Sequence, residues 1–234
     1  WSMMDMLDPR RIGFLSLKQI SGSYDWGHAN SVSYDEEQDS ILVSLRAQDA
    51  IVSFDKTAGT LNYILGNHNN WDSNLQNYLL NPVGEVDWPY GQHDIQPLGQ
   101  NRYSLFDNGN YRASPFSVVT EDIITEATYS RSVVYEVDPV DRTISTLFEF
   151  RPDPVIFARA VGSTQVLPET GNMLSNFGVL TEVSDSTVKS AKIIETSGSD
   201  LLEVVSTISV SNSISDWGVR VYRAWKLPVD YRIL

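Results

Sequence analysis

Short β-forming runs, broken by turn residues at close spacing, constrain the fold of this chain more than any other feature. Residues 32–34 lead into an acidic turn at 35–39. The runs 41–45 and 50–54, a turn at 56–59 and the run 61–65 follow. Apolar and β-branched residues fill the runs, and Asp, Glu, Asn and Gly fill the gaps, so the stretch reads as a four-stranded antiparallel meander. A meander of that size is one blade of a β-propeller. The pattern recurs loosely at 95–98, 103–106, 132–137 and 143–150. It recurs again at 162–167, 172–177 and 188–196, and in a shorter form at 201–208 and 219–225. The prediction is an all-β chain of about four blade-like units over residues 1–234, either one β-propeller domain or part of one. Propellers close with about 4 to 8 blades, so upstream blades are expected outside this sequence. Two stretches interrupt the pattern: 67–92, with a short helix predicted at 73–80, and 107–128. Long loops on a rigid β scaffold are where sites usually sit.

Charge and composition narrow the chemistry. The formal net charge is -13, which disfavours nucleic acid and anionic membranes as partners. An anionic small molecule would be repelled too, so its site must concentrate Arg, Lys or His. The chain has 0 cysteines, which excludes disulfides, thiolate metal sites and Cys nucleophiles. No apolar run approaches the roughly 20 residues of a membrane span, so no membrane insertion is expected. A Gly-rich phosphate loop before a helix, a Gly-x-Ser-x-Gly elbow and a His-Glu-x-x-His pair are all missing from the sequence. No cofactor is expected, and no close-spaced ligand pair points to a metal.

There are 3 histidines, and two of them occupy matching places. His28, in Asp25-Trp-Gly-His-Ala-Asn-Ser31, precedes the first run of one unit, and His93, in Pro89-Tyr-Gly-Gln-His-Asp-Ile95, precedes the first run of the next. In a propeller the first strand of each blade lines the central channel, so equivalent positions converge. Each histidine reads either as a hydrogen-bonded structural residue or as half of a channel site. His68 has no such counterpart and reads as a loop residue. Arg46 ends the run 41–45 and could reach a bound anion, since its fork of donors matches two sulfate or phosphate oxygens. A surface ion pair, with Asp49 nearby, is the alternative. Asn30 could donate to an oxyanion or cap a turn. Asp107-Asn-Gly-Asn110 with Arg112 reads first as a turn, and second as polar lining of a substrate site.

Several longer phrases carry a resemblance. They are Asp25-Trp-Gly-His-Ala-Asn-Ser-Val-Ser-Tyr-Asp35, Asp39-Ser-Ile-Leu-Val-Ser-Leu-Arg46, Gly91-Gln-His-Asp94, Leu105-Phe-Asp-Asn-Gly-Asn-Tyr-Arg112, Leu167-Pro-Glu-Thr-Gly-Asn172 and Trp217-Gly-Val-Arg-Val-Tyr-Arg-Ala224. In this order they resemble the C-terminal portion of the arylsulfotransferase family. The resemblance implies a six-bladed propeller with its site at the channel centre. It implies transfer of a sulfuryl group from an aryl sulfate to a phenol, without a nucleotide sulfate donor, in the periplasm or outside the cell. His93 would then be the nucleophile that carries the group. His28 and Arg46 would join it in catalysis, and Asn30 would hold sulfate oxygens. The family also draws a histidine from an earlier blade and a later basic residue, for which Arg159 is a candidate. A second chain or a homo-oligomer could complete the propeller. A binding propeller without turnover, and a hydrolase that passes the sulfuryl group to water, are the rival expectations.

Overall fold

The computed structural model describes residues 2–13, 15–17, 19–20, 22–110, 112, 129–182, 185–198, 202–211 and 219–228. Three antiparallel sheets, each folded from strands consecutive in the chain, make up most of it. The first holds β1 (Ala29–Asp35), β2 (Ser40–Leu45), β3 (Ala50–Asp55) and β4 (Leu61–Gly66) in that order. The second holds β5 (His93–Gly99), β6 (Arg102–Asp107), β7 (Arg131–Asp138) and β8 (Thr143–Phe150), with Asn81–Pro82 parallel along the outer edge of β8. The third holds β9 (Ser163–Val166), β10 (Met173–Glu182), β11 (Asp185–Thr196) and β12 (Val204–Ser211). A two-stranded ribbon, Gln19–Ile20 with Ser23–Tyr24, precedes them.

The acidic turns have a common mechanism. Asp35 Oδ1 accepts from the backbone N–H of Glu37 and Gln38 at 3.1 and 3.3 Å. Asp55 Oδ1 does the same for Thr57 and Ala58, and Asp138 Oδ1 for Val140 and Asp141. A short carboxylate thus substitutes for the ladder partners that the chain loses as it turns. The β5–β6 turn uses left-handed backbone instead, with Gln100 and Asn101 both at positive φ, which matches the twist of a tight hairpin.

The sheets stack face to face. Leu42, Ile51, Tyr63, Leu65, Ile95, Tyr103, Leu105, Val133 and Tyr135 form one core between the first and second sheets. Phe106, Phe150, Met173, Phe177 and Ile194 form another between the second and third. The far face of the first sheet is covered by Leu7, Trp71, Leu75 and Leu79. This explains why β2 and β3 read as nearly unbroken apolar runs: both of their faces are buried.

The opening strands β1, β5 and β9 lie side by side, tied by polar side chains. Ser33 Oγ donates to Ile95 O at 2.6 Å, Ile95 N donates to Ser31 Oγ, and Thr164 N donates to Asp94 Oδ2. Among the described residues no helix is long and apolar enough to cross a membrane.

One expectation is corrected. Among the described residues the predicted fourth unit does not form a sheet of its own. Val204–Ser211 is the outer strand of the third sheet, and residues 219–225 run as an extended strap beside the start of β9. The strap seats where Gly178 leaves room: a Cβ there would lie 2.2 Å from Val221 O. It is held by Val221 N to Gly178 O, Gly162 N to Tyr222 O, and Ala224 N to Ser163 Oγ, which are scattered bonds and not a ladder. The short helix expected at 73–80 is present as a 3-10 helix, Ser73–Tyr78, capped by Asp72 and ended when Leu80 N pairs with Ile64 O. Of the second predicted loop, 111 and 113–128 lie outside the described residues.

Candidate functional site

The segment before β5 is shaped by one glycine and one buried glutamine. Gly91 has φ +63, and a Cβ on it would lie 2.6 Å from Asn110 Oδ1. Its N–H donates to Asp49 Oδ1 at 2.6 Å. Gln92 is buried; its Nε2 donates to Ala50 O and Ser44 Oγ, and its carbonyl accepts from Asn30 Nδ2 at 2.7 Å. His93 follows, paired with Phe106 as β5 begins. The register then slips before Gln96, and Asp94 takes φ +60. Such a bulge re-aims neighbouring side chains.

The His93 imidazole is 3% exposed. Its Nδ1 lies 2.7 Å from Asn108 Oδ1, and the Tyr222 ring meets it edge-on with centroids 6.2 Å apart. Burial pushes its pKa down to about 3, and the hydrogen bonds to Asn108 and to the Gly91 backbone only partly oppose this. The charge of Arg46 pushes it the same way as burial, as a smaller effect. The ring is therefore neutral at physiological pH, with the Arg46 guanidinium in its field.

His28 has φ +49, and Asp25 engages its Nδ1. Its carbonyl accepts the Arg46 N–H at 3.2 Å, so the two expected residues are adjacent across the end of the β1–β2 hairpin. An open cleft of about 460 Å³, lined by Ser23, Tyr24, Asp25, His28 and Ala29, lies on this side. The Arg46 guanidinium is 3.5 Å from Arg159 O. Asp49, three residues on, is driven to a pKa of about 7 by burial, against the opposing bond from Gly91 and the charges of Arg11 and Arg46.

Asn30 joins the group in a way not expected from the sequence. Its amide donates to Gln92 O, so it steadies the His93 segment, while its buried Oδ1 has no partner. Arg112 is placed elsewhere. Its guanidinium pairs with Asp107 at 2.8 Å, donates to Trp88 O and Tyr129 O, and lies over the Tyr129 ring. Arg112 thus holds the turn that carries Asn108. The reason is electrostatic: a fully buried carboxylate two steps from the site draws the nearest guanidinium. His68 is a loop residue, bonded to Leu80 O at 2.9 Å and 5.4 Å from the Trp88 ring.

Sequence reading missed the roles of Asn108 and Asp25 and of the strap residues Tyr222 and Arg223. Arg223 pairs with the buried Asp94 at 3.1 Å. The three-residue spacing of Asp25 and His28 was a usable signal; nothing local marked the strap. Among the described residues no group of three or more His, Cys, Asp or Glu could hold a metal ion.

The Asn108 turn admits a direct check. Gly109 has φ +73, and a Cβ on it would lie 2.0 Å from Tyr129 O. Gly109→Ala is expected to cost more than the ~1–2 kcal/mol of left-handed backbone strain alone, because backbone must also move. Urea unfolding of the two proteins measures it, and a change under 1 kcal/mol would contradict the placement of this turn.

The sequence profile of the family described as Arylsulfotransferase (ASST) matches residues 1–222. Two curated proteins, each named Arylsulfate sulfotransferase AssT, are similar to the chain. That of Escherichia coli O6:H1 is 27% identical over 144 residues, 54% of this chain and 23% of that protein. That of Lelliottia amnigena is 25% identical over 149 residues, 56% of this chain and 24% of that protein. The matched stretch is thus about a quarter of the length of these relatives.

Proposed function

The chain belongs to the arylsulfotransferase family, and on that premise we propose that it moves a sulfuryl group from an aryl sulfate to a phenol through a sulfohistidine on His93, without a nucleotide sulfate donor. The observation that carries this reading is a buried imidazole, kept neutral by its burial, on the side of the first two sheets where His28 and Arg46 lie together. A neutral ring can attack sulfur. The N–S bond forms as the S–O bond to the aryl group breaks, and the aryl oxide leaves. His28, steadied by Asp25, is suited to protonate that oxide and later to take the proton of the incoming phenol. Arg46 offsets negative charge on the sulfuryl oxygens. In the second half-reaction the phenol oxygen attacks sulfur, the N–S bond breaks and His93 is restored. Asn30 and Arg112 serve as positioning residues in this scheme. The three stacked sheets are read as blades of a six-bladed propeller, completed by further chain or by a second copy. A periplasmic or secreted location, implied by the family resemblance, belongs to the same proposal.

Mixing the protein with excess chromogenic aryl sulfate, and no acceptor, tests the scheme. A burst of one phenol per chain, with a sulfuryl group on the peptide holding His93, is expected. Continuous phenol release without acceptor would favour transfer to water. No burst and no label from folded protein would leave a binding propeller as the account.

A further inference from the structure

We propose that Asn108 is the positioning residue that decides which ring nitrogen of His93 is free to react: it keeps the proton on Nδ1 and leaves the lone pair on Nε2. The argument begins from the amide's other end. Asn108 Nδ2 donates to Ala158 O at 2.6 Å and to Val161 O at 2.8 Å. Both of its hydrogens are thereby used. A flipped amide would set an oxygen against two carbonyl oxygens, so the orientation follows from the network. The atom facing His93 is then Oδ1, an acceptor, at 2.7 Å from Nδ1. A neutral imidazole has one N–H, and it must be Nδ1–H. This is the opposite of the tautomer that solvated histidine prefers.

The side chain cannot drift from this duty. Asn108 is fully buried, its carbonyl accepts from Ser130 Oγ at 2.7 Å, and Ser130 Oγ also accepts the Ala158 N–H. Its two carbonyl acceptors lie in the connection to the third sheet, so one amide joins β6, the His93 segment and that connection. The choice of amide over carboxylate also has a consequence, which rests on the sulfohistidine reading. Once Nε2 bears sulfur the ring is cationic and holds its proton on Nδ1. A neutral acceptor leaves that proton in place and keeps nitrogen a good leaving group. A carboxylate would draw the proton away and make the N–S bond harder to break.

Long-range ¹⁵N–¹H correlation NMR of the full chain at pH 7, with labelled histidine, tests the inference without any substrate. The sequence has 3 histidines, so a His93→Gln sample assigns the signal. The expected result is a pyrrole-type Nδ1 and a pyridine-type Nε2 on His93, unchanged as the pH falls to 5. A protonated Nε2 in the native chain overturns the proposal, whatever variants do. In Asn108→Leu the Nδ1–H preference should be lost. Retention of the same tautomer in folded Asn108→Leu also overturns it. If the tautomer is as stated but no sulfuryl group loads, the sulfohistidine reading fails and the assignment of Asn108 stands.

Discussion

His93→Gln is expected to abolish both the phenol burst and the sulfuryl label, lowering single-turnover release by about 10³-fold or more. Glutamine nearly matches the imidazole in size and can donate to Asn108, but it has no nucleophilic lone pair of comparable basicity. The native protein should load at a rate that stays level as pH falls through 6.5, because the pKa of its His93 is pushed down to about 3, chiefly by burial. Stability supplies an independent readout. Between pH 6.5 and about 3 the unfolded chain protonates this histidine and the folded chain does not. The unfolded state then binds more protons, so the stabilisation present above pH 6.5 is lost as pH falls. Asp49 runs the other way. Its carboxyl is raised to about 7, so its contribution is complete below the ordinary value of 3.8 and fades as pH rises through 7. Urea unfolding at pH 7 and pH 4.5 separates the two. The native chain should lose stability relative to His93→Gln on acidification, and parallel curves would contradict a buried, uncharged His93.

Much of the fold was legible because its strands advertise themselves. The runs at 41–45, 50–54 and 61–65 fall inside β2, β3 and β4, and the acidic turns fall where Asp35 and Asp55 cap the chain. The fourth unit was not legible, because a strap and a strand share extended, β-branched sequence. Residues 219–225 make scattered bonds, and their seat against Gly178 is a fact about another segment. The candidate site divides similarly. His28, Arg46 and His93 carry chemistry in their own side chains and could be picked singly. Asn108 was read as a turn residue, and it is one: its backbone turns while its amide serves His93. The turn reading of Arg112 agrees with its place beside Asp107, but the demand of that carboxylate for counter-charge appears only once it is buried.

Asp107→Ala is expected to lower stability by about 3–5 kcal/mol, the usual effect of removing one member of a buried ion pair. Asp107 is fully buried and is bonded by Arg131 Nε at 2.9 Å and by Arg112 at 2.8 Å. Its other oxygen accepts from the backbone N–H of Tyr90 and Gly109, both at 2.9 Å. Alanine removes all four acceptances at once. Arg131 would keep Glu149 and the carbonyl of Asp87, but at 1% exposure it has no access to water for the remainder. Against a total of about 5–15 kcal/mol for a typical domain, such a loss brings the chain near unfolding at growth temperature. Two further variants separate charge from geometry. Asp107→Asn keeps acceptor oxygen for the two N–H groups while losing the charge, so it should recover part of the loss. Asp107→Leu combined with Arg131→Met removes the carboxylate together with the more deeply buried of its two guanidinium partners and should be more stable than Asp107→Ala, since Arg112 keeps the carbonyls of Trp88 and Tyr129. The His93 signal adds the functional side. If Asp107 holds the turn that presents Asn108, then Asp107→Asn should perturb the Nδ1 resonance of His93, which lies in another strand. A fall below 1 kcal/mol in Asp107→Ala, with that resonance unmoved in Asp107→Asn, would mean that neither the buried pair nor the turn bears on the site.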